Sequence, residues 1–460
     1  MTTNPPRPAN LRVDEGIGNG PNLTWNVPEE FWILWWRSRE HRQLIIDVAV
    51  EPAGKGPSGK RSAQEFQCQV MDQMERHHRY PMRGPVALDL HYRAAQRNPP
   101  SIYRVVKHTL DLLGPALPGT KRPRRRSVLY HDDRQVKFLC ADMDQEWSHK
   151  DNDGTSTGGL FMVARRASDV AADLCMATRL HRDCGDEGDE ESPFWSPDIP
   201  EEPMPGWPLD SGSARTRTEQ YLADAYRFHH VADVQEAILA RTDATLTWAL
   251  GSYLDDLSGG DRPAELASIL EESRAMTRNL LLSNPLTLPL PGLPRATGQS
   301  VDFVRMIRTS LEGFRLRWPL FRSLLVPVTL TFLVIPPEQG KDLDNIALTA
   351  LPIAHKVLRP HISPHLLSPT YADEERTPRR DDTLARLKSV NARSVRAYQV
   401  IELPRSPQDP PEGTLHLALG LHTHWSWWHR ASNYLRTAID QADQRHQLDD
   451  STWRSIFAGQ

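Results

Sequence analysis

The chain is short of cysteine, of long apolar runs and of any strong excess of charge of one sign. Four cysteines in 460 residues are too few for a disulfide framework, and the polar, proline-rich residues 1–10 have no apolar signal-peptide core. Together these predict a reduced, cytoplasmic protein. The longest apolar run, residues 324–335, is broken by Pro327 and two threonines and is too short to cross a bilayer. A net charge of −4 does not suit an obligate nucleic-acid coat. Glycine (26) is outnumbered by proline (38), so long stretches must be extended, looped or linking. What remains is ordinary globular usage, 39% hydrophobic and 25% charged, which provides a real core and excludes collagen-like, coiled-coil and wholly disordered chains. The length suits about three domains, or two larger ones.

Charge is unevenly placed. Residues 183–202 hold nine acids and no lysine or arginine, the composition of a solvated linker. Lys121-Arg122-Pro123-Arg124-Arg125-Arg126 is a compact basic cluster, either a solvated loop or one that contacts phosphates.

The order of elements repeats. Ile46, Val48 and Val50 alternate with polar or small residues as in a half-buried strand. A Gly/Pro-rich loop follows, then a helical face of Phe66, Val70, Met71 and Met74, then the strand Pro85-Val86-Ala87-Leu88-Asp89-Leu90. In the later half Leu286, Leu288 and Leu290 alternate, and a Gly/Pro loop follows. Phe303, Met306, Ile307 and Leu311 then share a helical face ahead of Pro327-Val328-Thr329-Leu330-Thr331-Phe332. Beyond the second strand of each set, Ser101-Ile102-Tyr103-Arg104 aligns with Asp342-Leu343-Asp344-Asn345, and helical patterns follow both. Four elements in one order predict an internal duplication.

The expected organisation is an N-terminal tail over residues 1–30, a first repeat over 31–141, an acidic, proline-rich linker or insertion over 142–217, a helical insert over 218–284 and a second repeat with a C-terminal helix over 285–460. Gly259-Gly260 breaks the insert into a hairpin. The fold class predicted is mixed α/β (α+β).

The sharpest chemical signal is Asp342-Leu343-Asp344-Asn345 directly after a strand. Two carboxylates two residues apart in an extended segment project to one side, about 6 to 7 Å apart. That spacing suits oxygen ligands around one hard cation, or bridging two. The same residues equally suit a helix N-terminus, where Asp and Asn cap free N–H groups.

The strand, the Asp-x-Asp-Asn turn and the helix after it resemble the RusA-type Holliday-junction resolvases. That family places a lysine three residues after the motif, an aspartate four further on, and later an Asp-Asp-x-Gln-Val/Ile run leading into a strand. Lys107 and Asp111 fall at the lysine and aspartate positions of the first repeat, and Asp132-Asp133-Arg134-Gln135-Val136 reproduces the acidic run. The first repeat departs at the metal pair, which is Ser101 and Tyr103, with Arg104 for the asparagine. The second keeps Asp342, Asp344 and Asn345 but has Leu348 for the lysine and Pro352 for the aspartate, where a proline would interrupt the family's helix. Its downstream acid is either Asp373, in register with Asp132, or one of Asp381 and Asp382.

The resemblance implies a Mg²⁺- (or Mn²⁺-) dependent endonuclease on branched or duplex DNA, with the family's dimer contained in one chain. Catalytic and metal-binding roles fall to Asp342, Asp344 and Asp373, supported by Asn345, Asp111, Asp132 and Asp133. Lys107, Lys121, Arg122, Arg124, Arg125 and Arg126 would meet phosphates. The alternative is a non-catalytic nucleic-acid-binding or scaffold protein on the same duplicated fold, with the helical insert binding a protein partner or a further copy. No Gly-x-Ser-x-Gly elbow or Gly-rich Lys-Ser/Thr phosphate loop supports another enzyme class, and Cys175-x5-His181-x2-Cys184 lacks a fourth zinc ligand.

Overall fold

Alternating apolar residues make strands that bury one or both faces, and here they assemble into one mixed eight-stranded sheet covered by helices on both sides. The computed structural model describes residues 29–446, apart from 51–58, 95–99, 119, 121–125, 146–157, 185–216, 258–266, 291–300, 322–323, 338–342, 359–394 and 407. After α1 (Glu29–Glu40) come β1 (Leu44–Val48), α2 (Gly59–Arg76), β2 (Val86–Ala94), α3 (Ile102–Leu113), β3 (Val136–Gln145), β4 (Gly159–Arg166) and α4 (Ala167–Cys184). The long α5 (Arg217–Leu257) and α6 (Ala267–Ser283) pack as a hairpin. Then follow β5 (Thr287–Leu290), α7 (Val301–Arg317), β6 (Val328–Ile335), α8 (Leu343–Val357), β7 (Val395–Glu402), β8 (Thr414–Leu421) and α9 (Trp427–His446). None of the helices among the described residues is long and apolar enough to cross a membrane.

The strand order is β1-β4-β2-β3-β7-β6-β8-β5. Outward from the central β3–β7 seam, both sides read third, second, fourth and first strand of their half. β2–β3 and β6–β7 are parallel. The pairs β1–β4, β2–β4, β5–β8, β6–β8 and the seam itself are antiparallel. The correspondence reaches single residues. The parallel ladders slip between Val86 and Ala87 on one side and between Val328 and Thr329 on the other. Ala167 N donates to Pro85 O, and His422 N to Pro327 O, each at 3.0 Å.

Side chains alternate across the pleat. Val86, Leu88, Leu90, Leu139, Leu330, Phe332 and Val400 face one core, shared with α2, α3, α7 and α8. Ala87, Phe138, Cys140, Leu333, Ile401 and Ala418 face the other, under α4, α5 and α9. The helical faces expected at Phe66, Val70, Met71, Met74, Phe303, Ile307 and Leu311 are buried, whereas Met306 is largely exposed and Phe314 takes its place in the core.

Two expectations are corrected. The span 142–217 is not a linker throughout: β3 continues to Gln145, and β4 and α4 are integral parts of the sheet and its cover. Composition hid them because the acidic run flanks them without belonging to them. Secondly, α8 continues through Pro352; Ile353, Ala354 and Val357 beyond the proline are buried, and that packing offsets the lost backbone hydrogen bond. β7 starts at Val395, and Asp373, which the sequence register sets opposite Asp132, lies before it among residues 359–394, outside the described residues. Residues 1–28 of the expected tail, and Gly259-Gly260 between α5 and α6, lie outside the described residues.

The helical layer over the second core is locked by buried charge. Arg39 of α1 reaches Asp169 Oδ1 (3.3 Å) and Asp173 Oδ1 (2.6 Å) of α4. Asp173 also takes Arg165 of β4 and Ser432 of α9. Burial alone would raise the Asp173 pKa, but Arg165 and Arg39 outweigh it and leave the pKa lowered. The helices approach most closely at Gly251 of α5, where a Cβ would collide with Thr178 Oγ1 and lie 2.6 Å from the Leu174 carbonyl oxygen. Gly251→Ala is therefore expected to cost about 1–3 kcal/mol in urea unfolding. Adding Thr178→Ala should restore only part of it, because the carbonyl clash remains. Wild-type stability in the single variant would show that α4 and α5 are not packed this closely.

Candidate functional site

Parallel pairing of β2 with β3 sets His91 directly opposite Asp142, each three residues from the carboxyl end of its strand. Both lie on the α4/α9 side, in line with Ala87 and Asp89 on β2 and Phe138 and Cys140 on β3. The turn from β8 into α9 closes over them. Ser426 is the residue before α9: its hydroxyl accepts from His429 N at 3.1 Å, a helix-capping bond, and donates to Asp89 Oδ2 at 3.0 Å. Trp427 N donates to Gln399 Oε1 of β7 at 3.2 Å. With the helix start pinned to two strands, His422 and His424 are brought over the end of β3.

Asp142 is the centre. Its Oδ2 lies 2.9 Å from His424 Nδ1 and 3.9 Å from His91 Nδ1, and its Oδ1 lies 3.8 Å from His422 Nε2. The Asp142 side chain is 4% exposed, yet Oδ1 accepts no hydrogen bond. Burial would raise its pKa; His424, His91 and His422 outweigh that and hold the carboxyl well below the usual carboxylate range. One ligand atom from each of Asp142, His422 and His424 lies within 4.8 Å of the others, so the group can hold a metal ion. His424 is 56% exposed and has Asp144 Oδ2 at 4.0 Å. Trp425 stacks on His429 (4.0 Å, 10°) and stands edge-on to His91 (4.7 Å).

The corresponding position of the other half is apolar. Leu333, five residues into β6 as His91 is into β2, pairs with Ile401, and both are fully buried. Among the described residues the Asp/His cluster therefore occurs once.

The residues predicted from sequence lie elsewhere. Asp342, Asp373, Asp381, Asp382, Lys121, Arg122, Arg124 and Arg125 fall outside the described residues. Asp344 and Asn345 sit in the first turn of α8, so the extended spacing expected for the acidic pair does not apply to Asp344. Arg126 is exposed, and its carbonyl accepts from Ala116 N at 3.0 Å. In the first half the family-like positions do converge: Lys107 Nζ lies 3.5 Å from Asp111 Oδ1 and 3.7 Å from Asp133 Oδ2. Asp132 caps the turn before β3, accepting from Arg134 N at 3.0 Å, with Gln135 completing a capping box; that backbone hydrogen bond is the main cause of its lowered pKa. Sequence reasoning missed Asp142, His422 and His424. His-x-His at a strand end was visible, but nothing local links it to an aspartate 282 positions away.

No protein-family model, no curated protein and no solved structure matches this chain.

Two buried groups beside the cluster are shifted in opposite directions. Burial raises the Asp89 pKa from 3.8 to about 6, against His91 and Ser426. Burial, with His91 and Arg165, lowers that of His429 from 6.5 to about 3. A raised carboxyl pKa means the folded state holds the proton more tightly, so the Asp89 contribution is full below pH 3.8. About 3 kcal/mol of it is lost as pH rises through 6. The depressed His429 pKa does the opposite: its contribution is full above pH 6.5 and is lost as pH falls towards 3. The two slopes oppose between about pH 4 and 6. Asp89→Asn should make stability rise with pH across that window, and His429→Gln should make it fall, as read by urea unfolding at stepped pH. Identical pH profiles for both variants would refute the opposed shifts.

Proposed function

We propose that the chain is a metal-dependent, structure-selective DNA endonuclease similar to the RusA-type resolvases, built as two tandem repeats in one polypeptide and sharing one catalytic centre between them. The observation that carries this reading is the complementarity of the halves at one end of the sheet. Because the seam is antiparallel, β6 ends where β3 begins: Leu333 pairs with Ile401, and Ile401 with Phe138. Helix α8 opens beyond the carboxyl end of β6, the Asp132–Gln135 turn precedes β3, and α3 packs against α8 on the same face. The half that keeps Asp342, Asp344 and Asn345 thus enters its helix at the end and face where the other half keeps Lys107, Asp111, Asp132 and Asp133. At the opposite end, α3 opens on Ser101, Tyr103 and Arg104, which supply no carboxylate.

In this reading Asp342, Asp344 and Asp133 would hold Mg²⁺ or Mn²⁺, for which carboxylate oxygens are the fitting donors. The cation supplies charge neutralisation at the phosphoryl oxygens and a more acidic water. Lys107 balances the charge of Asp111 and Asp133 and holds Asp133 in place. The 121–126 cluster meets backbone phosphates, positioning the DNA without reading its sequence.

The test is a labelled four-way junction and a matching duplex, incubated with Mg²⁺, Mn²⁺ or EDTA. Asp344→Asn and Asp133→Asn should each slow cleavage by about 100-fold or more while leaving junction binding nearly intact. Ser101→Ala should cleave like wild type, and the product should be a single nick rather than a symmetric pair. Asp373→Asn separates a shared centre, which it leaves active, from one confined to the second half, which it abolishes. Full cleavage by Asp344→Asn refutes the assignment, and a junction bound but uncut by wild type under both metals leaves the scaffold alternative. Alanines for the four arginines of 121–126 should flatten the salt dependence of binding by about 0.9 in log–log slope per lost contact.

A further inference from the structure

We propose that Asp142, His422 and His424 form a site for a borderline divalent cation of the Zn²⁺ class, separate from the acidic motif and open on one side to solvent. The donor set argues for that class. Two imidazoles and one carboxylate suit Zn²⁺ and its transition-metal neighbours, whereas Mg²⁺ takes oxygen donors and keeps its waters. The positions argue for a built site rather than a surface coincidence. Asp142 is buried at the end of a central strand, with Oδ1 accepting no hydrogen bond although its side chain is 4% exposed. A buried carboxylate oxygen left in that state is costly unless a cation or water completes it. His422, 8% exposed, and His424 converge on the same carboxylate from a turn whose helix cap is fastened to Asp89.

Three protein ligands leave a coordination position free, the arrangement of catalytic rather than closed structural zinc sites. The free side faces water at His424, which is 56% exposed. His91, 3.9 Å from Asp142 Oδ2, stands behind the carboxylate as an outer partner that fixes its orientation. Trp425, 36% exposed, walls one side. The apolar pair Leu333 and Ile401 at the corresponding place in the other half shows that the fold does not require polar residues here. The site also joins the halves, since Asp142 comes from β3 and both histidines from the turn after β8.

The experiment uses the full chain, stripped with a chelator and titrated with Co²⁺ as a spectroscopic probe. In millimolar Mg²⁺, present throughout to occupy carboxylate-only sites, one equivalent should bind with visible absorption of a nitrogen/oxygen-ligated ion. Zn²⁺ should displace it and millimolar Mg²⁺ should not. His424→Ala, at an exposed position where folding is not in question, should weaken binding about tenfold or more and abolish the rise in Tm that Zn²⁺ gives the wild type. His422→Ala should do the same. Asp344→Asn should bind Co²⁺ like wild type, which separates this site from the proposed nuclease centre. Stoichiometric binding that survives both histidine variants, displacement by Mg²⁺, or no binding by wild type would each overturn the proposal.

Discussion

Everything distinctive in this molecule depends on the antiparallel pairing of β3 with β7. Those two strands close a four-stranded sheet on each side into one of eight, with Phe138 opposite Ile401 and Asp142 opposite Ala397. A seam of five register pairs is short, but both strands are central and buried on both faces, where backbone hydrogen bonds are protected from water. The seam also fixes direction. Because each central strand is parallel to its own neighbour, reversing the direction between halves sends the carboxyl ends of β2 and β3 to one end of the sheet and those of β6 and β7 to the other. Ligands at open sheets gather at carboxyl ends, so this sheet offers two such places where one half alone would offer one.

The halves differ in what they put there. At the β2/β3 end, His91 and Asp142 are polar where Leu333 and Ile401 are apolar at the other. The divergence extends to the helices. Arg165 of β4, its charge held by Asp173, corresponds to Gly420 of β8, where a Cβ would fall 2.6 Å from Asp243 Oδ1. Asp243 of α5 in turn takes Trp427 and Arg430 of α9. Two buried carboxylates, Asp173 and Asp243, thus tie α1, α4, α5 and α9 together through different partners. Ion pairs of this kind return little net stability after desolvation, but removing one partner strands a buried charge at a cost of about 3–5 kcal/mol.

How much of this was legible in the sequence follows from range. Period-two and helical patterns are local, so β1, β2, β5 and β6, and the buried faces of α2, α3 and α7, could be read from Ile46, Phe66, Val86, Leu288, Phe303 and Val328. The order of elements in the halves was legible for the same reason. β4 was not, because Gly159–Arg166 is buried on both faces and lacks the apolar–polar alternation that marks a strand. Local motifs such as Asp342–Asn345 could be found but not placed. The Asp142 cluster could not be found at all, because it exists only once the seam and the β8–α9 turn bring residues 282 positions apart within 2.9 Å.

The two candidate centres then differ in ways that follow from where they sit. In the proposed reading the acidic motif enters α8 on the α3/α8 face and would offer carboxylates alone. The Asp142 cluster lies on the α4/α9 face at the opposite end, and imidazoles supply two of its three ligand atoms. Hard and borderline cations sort between such sites by donor chemistry, since affinity order alone would send the tighter-binding transition ions to both. The Asp142 cluster and the start of α8 lie at opposite ends and on opposite faces of one sheet, so a side chain lost at one place leaves the packing at the other as it was.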